Sequence, residues 1–465
     1  MTSSTGLKEL LDSTTVLLYK IAFLLILLLI LVSIAKIAIK LYKFRKSRIS
    51  FSTKHKAHGL IFGKLHNLIC YSKHNAEGHC VVFGGSGVGK TSSVLIPTLQ
   101  SWNGTSLCID ISGDIERNIH KDNKLIYEPE SLDTIPYNAF HSIDTLENED
   151  EKNQALEKLA FLLMPDLEPR EASANARFFN DEGRKILTAS LIALYHIGLD
   201  FCEICEKIMS SSYKELFAAI DRTENHNAIK FINSFEGASE QNTAGCKQAC
   251  DLAIKLFATN HYVHNSIRRP QHNEHSISPD KIEDFNVFFV VSDSKLDLYA
   301  PLVHLVVSQS LEFFSNRSNN AESTILFCLD EFASFGRLEI TSALRKLRKK
   351  KIRIMCLTQS LADIDLIYGH DERKAMLNNF AFKLVLSADD ADTQEYFAKL
   401  IGHKQTQKQS VSKSGRGQTI IKSEIKEYAI EPEELSRLGN HLILIYPGGF
   451  KKLKKNYYFK KSLWR

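Results

Sequence analysis

HCVVFGGSGVGKTSS, residues 79–93, joins a five-residue apolar run to a glycine-rich turn that ends in Lys-Thr. The run reads as a buried strand. Gly84, Gly89, Lys90 and Thr91 fit the phosphate-loop pattern G-x-x-x-x-G-K-[ST]. Its glycines let the backbone bend so that successive N–H groups face phosphate oxygens. The whole stretch Gly84, Gly85, Ser86, Gly87, Val88, Gly89, Lys90, Thr91 and Ser92 is therefore expected to cradle a nucleotide's phosphates. Lys90 would reach the β- and γ-phosphates, and the Thr91 hydroxyl would bind Mg²⁺. The helix that starts here adds its positive end.

A nucleotide site also needs an acid for the metal, and the run LFCLDE (326–331) supplies two. Asp330 at the strand end would hold Mg²⁺ through water. Glu331 would orient or deprotonate the attacking water. Two acids with separate roles point to hydrolysis rather than simple nucleotide retention. The next strand, RIMCL, ends at Thr358-Gln359, where a polar residue would sense the γ-phosphate. Between the two strands lies RKLRKKK (345–351), either a solvated helix end or an arginine finger that serves a neighbouring subunit. The chain carries no N-K-x-D guanine loop where one is expected, which disfavours a GTPase. SGRGQ (414–418) matches an ABC-transporter signature faintly and in the wrong place, and reads as coincidence.

Around these motifs the body reads as α/β. SLCID (106–110), FNVFFVV (285–291), TILFCL (324–329), FKLVL (382–386) and HLILIY (441–446) are further strand-like runs. Most are continuously apolar, as parallel strands covered on both faces are. Helical stretches such as 338–350 and 390–401 lie between several of them. From about residue 182 to 280 only helical spacing appears, which predicts an all-α insertion. The polar stretch 403–418 reads as a loop or hairpin.

The most hydrophobic stretch is 16–39, whose 24 residues exceed the ~20 a spanning helix needs. A cleaved signal peptide is the competing reading, but the positive cluster follows the apolar run instead of preceding it. Between Asp12 and Glu77 there is no acidic residue, while Lys36, Lys40, Lys43, Arg45, Lys46, Arg48, Lys54 and Lys56 crowd together. That asymmetry predicts a single anchor with everything after residue 40 in the cytoplasm, and a basic segment suited to anionic lipid. Composition agrees with a folded protein: 465 residues, 44% apolar, 24% charged, formal net charge +5. The nine cysteines suit reduced thiols. Cys202, Cys205, Cys246 and Cys250 stand either as four zinc-type thiols or as helix residues at i,i+3 and i,i+4.

Taken in order, the motifs resemble the coupling proteins of type IV secretion and conjugation, the TraG/TraD-like ATPases. The resemblance runs from the anchor through GGSGVGKTSS with Ile96-Pro97, CIDISGD, PYNAF and FFNDEGRKIL. It continues through LDEFASFGRL, LTQSLADID, EPEELSRLGNHLILI and the closing NYYF. It implies a RecA-like P-loop parallel-sheet domain (57–181 and 281–465) with an inserted all-α domain (182–280). Before them come a short tail (1–15), the transmembrane helix (16–39) and the basic juxtamembrane segment (40–56). A homo-hexamer on the bacterial inner membrane is implied, using ATP and Mg²⁺ between subunits. Its partners would be single-stranded DNA with a relaxase, or effector proteins, and the secretion channel. Lys90, Thr91, Asp330, Glu331 and Gln359 match the family's catalytic positions, and Arg348 its arginine finger, with Arg345 and Lys349 near enough to substitute. The chain departs from the pattern in having one span, in Ser112-Gly113-Asp114 for the usual Lys-Gly-Glu, and in stopping after its last strand. Two other readings are a FtsK/HerA-like duplex translocase built on the same engine and, from another class, a membrane receptor that uses nucleotide only as a switch and assembles channel proteins.

Overall fold

The computed structural model describes residues 25, 28, 30–34, 48–167, 172–414 and 417–459, without side chains for 407–424. Leu25, Leu28 and Ile30–Ile34 are helical; the rest of the expected span 16–39 lies outside the described residues. Among the described residues no helix is long and apolar enough to cross a membrane.

Seven strands form the parallel core. They are β1 (His79–Phe83), β2 (Thr105–Asp110), β3 (Lys124–Tyr127), β4 (Asn286–Val290), β5 (Ile325–Leu329), β6 (Ile352–Thr358) and β7 (Phe380–Val385). Their spatial order is β7-β1-β6-β5-β2-β4-β3. An antiparallel wing extends the sheet beyond β7 through His441–Tyr446, Gly449–Lys454, Gly59–Leu65, Leu68–Lys73 and Ser50–Ser52. The run HLILIY, read from its apolar character among strands expected to be parallel, is antiparallel to β7 (Lys383↔Ile445). A short turn, Pro432–Arg437, packs at the outgoing end of β7 through a hydrogen bond from Ala388 to Leu435, so the next strand must run back. Ser50–Ser52, inside the segment expected as a juxtamembrane linker, pairs with Leu68–Lys73 as the edge strand.

Apart from the half-buried edge strand β3, the core strands bury both faces, and their alternate residues feed different cores. Val81 and Phe83 join one cluster with Leu107, Ile109, Phe327 and Leu329, while Cys80 and Val82 join another with Cys108, Leu326 and Leu357. This is the physical basis of the continuous apolar runs. The first cluster extends into the helices Glu149–Leu163, Ala174–His196, Phe201–Ser210 and Glu240–Thr259. Residues 182–280 lie among these helices, and the one that carries Glu182 starts at Ala174, capped by Ser173. Cys202, Cys205, Cys246 and Cys250 are buried in that core, and no group of three or more His, Cys, Asp or Glu side chains placed to hold a metal occurs among the described residues. The stretch 403–418 enters a two-stranded hairpin, His403–Ser414 with Gly417–Tyr428.

One buried contact ties the incoming end of β1 to the helix Ile340–Leu347. The His79 Nε2–H donates to the Leu344 carbonyl (2.9 Å), and its Nδ1 accepts the Ile354 N–H (3.0 Å). Burial, reinforced by the Arg353 guanidinium, pushes the His79 pKa down to about 3. The unfolded chain then binds a proton that the folded one refuses between that value and the ordinary 6.5. Stability from this group is complete above pH 6.5 and falls as pH drops, by ~1.4 kcal/mol per pH unit. Urea unfolding at neutral and mildly acidic pH should show this loss, and a His79→Gln variant should show a correspondingly flatter pH dependence.

Candidate nucleotide site

The site forms at the outgoing ends of β1, β6 and β5, and register explains the meeting. Phe83 pairs with Thr358 and Leu329 with Cys356, so the loop after β1 and the acids after β5 flank the end of β6. The Gly84 N–H donates to the Thr358 carbonyl (3.2 Å) and the Gly85 N–H to Ser387 Oγ (3.0 Å), which fixes the loop between β6 and β7. Gly87 and Gly89 have φ of +72° and +94°, which side-chain-bearing residues rarely adopt. A Cβ on Gly84 would fall 2.7 Å from Val88 Cγ2, and one on Gly85 2.7 Å from Asp389 Oδ2. The loop therefore has the glycine cradle that phosphates require.

Lys90 is buried, and its ammonium donates to the carbonyls of Gly84 (2.7 Å) and Gly85 (3.3 Å). It also stands 3.7 Å from Glu331 Oε2. The Thr91 hydroxyl stands beside the Asp330 carboxylate and favours its ionised form. Burial first, then the neighbouring Glu331 charge, pushes the Asp330 pKa up to about 7. Asp110 adds to this crowding, because Ile109 pairs with Leu329 and places the two strand-end acids side by side. Burial also raises Asp110, although its carboxylate accepts N–H groups from Ser112, Gly113 and Glu116. Crowded carboxylates beside a threonine hydroxyl make a hard, oxygen-only donor set, which fits Mg²⁺. The Thr358 hydroxyl is buried without a protein partner at the same strand ends, a polar atom that a phosphate or water would satisfy.

Glu331 sits at φ 53°, ψ 47°, a left-handed conformation that turns the chain sharply off β5. Such a residue costs about 1–2 kcal/mol relative to ordinary backbone, and strain of this kind gathers at functional sites. The Gly-Arg-Leu that follows is scaffolding. The Arg337 carbonyl accepts from His304 Nε2 (2.9 Å), its guanidinium pairs with Glu372 (2.7 Å), and the buried Leu338 donates its N–H to Tyr368 (3.2 Å).

Gln359 is exposed just past β6. Ser360 caps the next helix, Leu361–Asn379, in a capping box with Asp363, which fixes Gln359 between strand end and helix start. Arg348 is not part of this constellation. The helix Ile340–Leu347 runs back along the sheet, so Arg348 lies at the incoming end, 3.9 Å from Glu77, two residues before β1. Arg345, Arg348 and Lys349 are all exposed there.

Sequence reasoning missed three contributors. Asp110 was marked only by an acid at the end of SLCID. Ser387 left no signal. Lys455 left no signal either, and the NYYF that follows it (456–459) marks the family resemblance without pointing to the phosphate loop.

A family model described as type IV secretory system conjugative DNA transfer matches residues 35–464. The chain is 23% identical over 404 residues to the conjugal transfer protein TraG of Agrobacterium fabrum, covering 82% of this chain and 60% of that one. It is 23% identical over 430 residues to protein VirD4 of the same organism, covering 88% and 63%. The chain thus spans about three-fifths of the length of these curated relatives. Among solved structures, the unbound conjugative coupling protein TrwBdeltaN70 superposes with a TM-score of 0.66 at 18% identity, over 81% of this chain and 85% of that one. TrwB in complex with ADP and Mg²⁺ gives 0.64 at 17% identity, over 82% and 85%. The likeness shows the fold, a mixed α/β protein with a large parallel-sheet core.

Proposed function

Because the chain belongs to the family of type IV secretory system conjugative DNA transfer proteins, we propose that it is the ATP-hydrolysing motor of a coupling protein. It would feed a relaxase bound to single-stranded DNA, or protein effectors, into a type IV secretion channel. One observation carries the reading: the phosphate-loop Lys90 and Thr91 meet Glu331 and Asp330 across a single intervening strand.

In this reading Lys90 gives up its bonds to Gly84 and Gly85 and takes the β- and γ-phosphates. Thr91 and Asp330 would hold Mg²⁺, which when bound neutralises charge on those phosphates. Glu331 accepts the proton of the attacking water, and Gln359 contacts the γ-phosphate from the end of β6. Arg348, at the far end of its own sheet, would complete the site of a neighbouring subunit in a homo-hexameric ring. In this reading the motor lies in a RecA-like part (57–181, 281–465), with an all-α part (182–280) inserted into it. We place the ring at the bacterial inner membrane, held by a span at 16–39 and by lipid contacts of the basic segment 40–56. DNA as cargo is supported by the family's own description.

The test is transfer of a mobilisable plasmid from cells that carry this chain as their coupling protein. Lys90→Ala should abolish transfer and ATPase activity together, with the protein still present at wild-type level. Transfer that persists with Lys90→Ala would show that the motor lies elsewhere.

A further inference from the structure

We propose that the segment Lys455–Phe459 forms the nucleobase wall of the nucleotide site, with the Tyr457 ring as the face on which a purine stacks; this rests on the reading of residues 84–92 as a nucleotide's phosphate cradle.

The segment returns from the last strand, Gly449–Lys454, and locks onto the loop at three points. The buried Lys455 ammonium donates to the Val88 carbonyl (2.9 Å), and the Tyr458 N–H donates to the Ser92 carbonyl (3.1 Å). Between them the Tyr457 ring lies against Gly89, where a Cβ would fall 2.9 Å from its Cε1. Gly89 is thus required twice, for its φ of +94° and for the room it leaves this ring.

The placement separates two flanks of the loop. The Lys90 ammonium faces Gly84, Gly85 and Glu331, which is the side of the γ-phosphate and the water-activating acid. Lys455–Phe459 touches Val88, Gly89 and Ser92, toward the helix start where the α- and β-phosphates are cradled. A base hangs beyond the α-phosphate, so it leaves the loop on this second flank.

The chemistry of the segment suits that position. Tyr457 is only partly buried, and the Phe459 ring stands 5.3 Å from it while 55% exposed. Exposed aromatic faces beside a phosphate site offer stacking surfaces, and every base has a π-face to place on them. Asn456 is fully enclosed between these residues, and neither its Oδ1 nor its Nδ2 meets a protein partner. A buried amide left unpaired is unfavourable in a segment kept only for packing. Stacking does not read the base edge, so the wall would accept either purine, whose larger face offers more to stack than a pyrimidine's.

The test compares ATP with inorganic tripolyphosphate, titrated into the 465-residue chain and into Tyr457→Ala, Tyr457→Phe and Lys90→Ala variants. Tyr457→Ala should weaken ATP about tenfold and leave tripolyphosphate unchanged, while Tyr457→Phe keeps wild-type affinity for both. Unchanged tripolyphosphate binding also shows that the loop is intact. A parallel loss of both ligands in Tyr457→Ala would mean that the ring only props the loop, and would overturn the inference. Unchanged or tighter ATP binding would overturn it too, since the ring would then be packing or obstruction. If Lys90→Ala binds both ligands like wild type, the phosphate-loop reading is what fails, and the base wall falls with it.

Discussion

Glu331→Gln is expected to lower ATP turnover by about two to four orders of magnitude while ATP binding changes only slightly. The side chain keeps its size but loses the carboxylate charge that would draw a proton from water. Binding should survive because the contacts that hold phosphate belong to other residues, chiefly Lys90 and the glycine cradle. The 3.7 Å Lys90–Glu331 pair is too long to be a strong hydrogen-bonded bridge. Removing the Glu331 charge also relieves one of the influences that raise the Asp330 pKa, which leaves Asp330 more readily ionised for Mg²⁺. Turnover and nucleotide affinity measured on the same preparation separate the two effects. More than a tenth of wild-type turnover in Glu331→Gln would move the water-activating role to another group.

The second large effect is expected at a distance. Arg348→Ala should reduce turnover by about a thousandfold or more, the usual worth of an arginine finger, although Arg348 lies at the opposite end of its own sheet. Its pairing with Glu77 is a long, exposed contact and contributes little to folding. The diagnostic is complementation. Arg348→Ala subunits keep an intact phosphate loop and acids, and Lys90→Ala subunits keep the arginine. Each alone should be inactive, yet a mixture should recover part of the activity, because a Lys90→Ala neighbour supplies the missing guanidinium. No recovery on mixing, with ring assembly shown to be intact, would refute action in trans. Full activity of Arg348→Ala alone would shift the role to Arg345 or Lys349, which are exposed on the same turn.

What could be read from the chain depended on how local the constraint was. Gly84 to Thr91 and Asp330-Glu331 were legible because phosphate and metal chemistry restrict residue type at fixed spacing next to a strand end. Gln359 was placed by the strand that ends just before it, whereas the Ser360 cap behind it emerged only from the structure. The direction of His441–Tyr446 was not legible, since an apolar run carries no mark of parallel or antiparallel pairing. Contacts across great sequence distance were invisible for a similar reason. Lys455 reaches Val88 across 367 positions and His79 reaches Leu344 across 265, and no periodicity announces either. Asp110 gains its importance only from the register that sets β2 beside β5.

The left-handed backbone at Glu331 has a consequence for how this protein trades durability against work. A glycine at that position would adopt the same turn without penalty and should make the isolated fold firmer. It would also remove the carboxylate proposed to take the proton of the attacking water. Screening variants of this chain for thermal resistance alone would therefore favour inert ones at residue 331, and a motor can be kept there only by selecting for turnover.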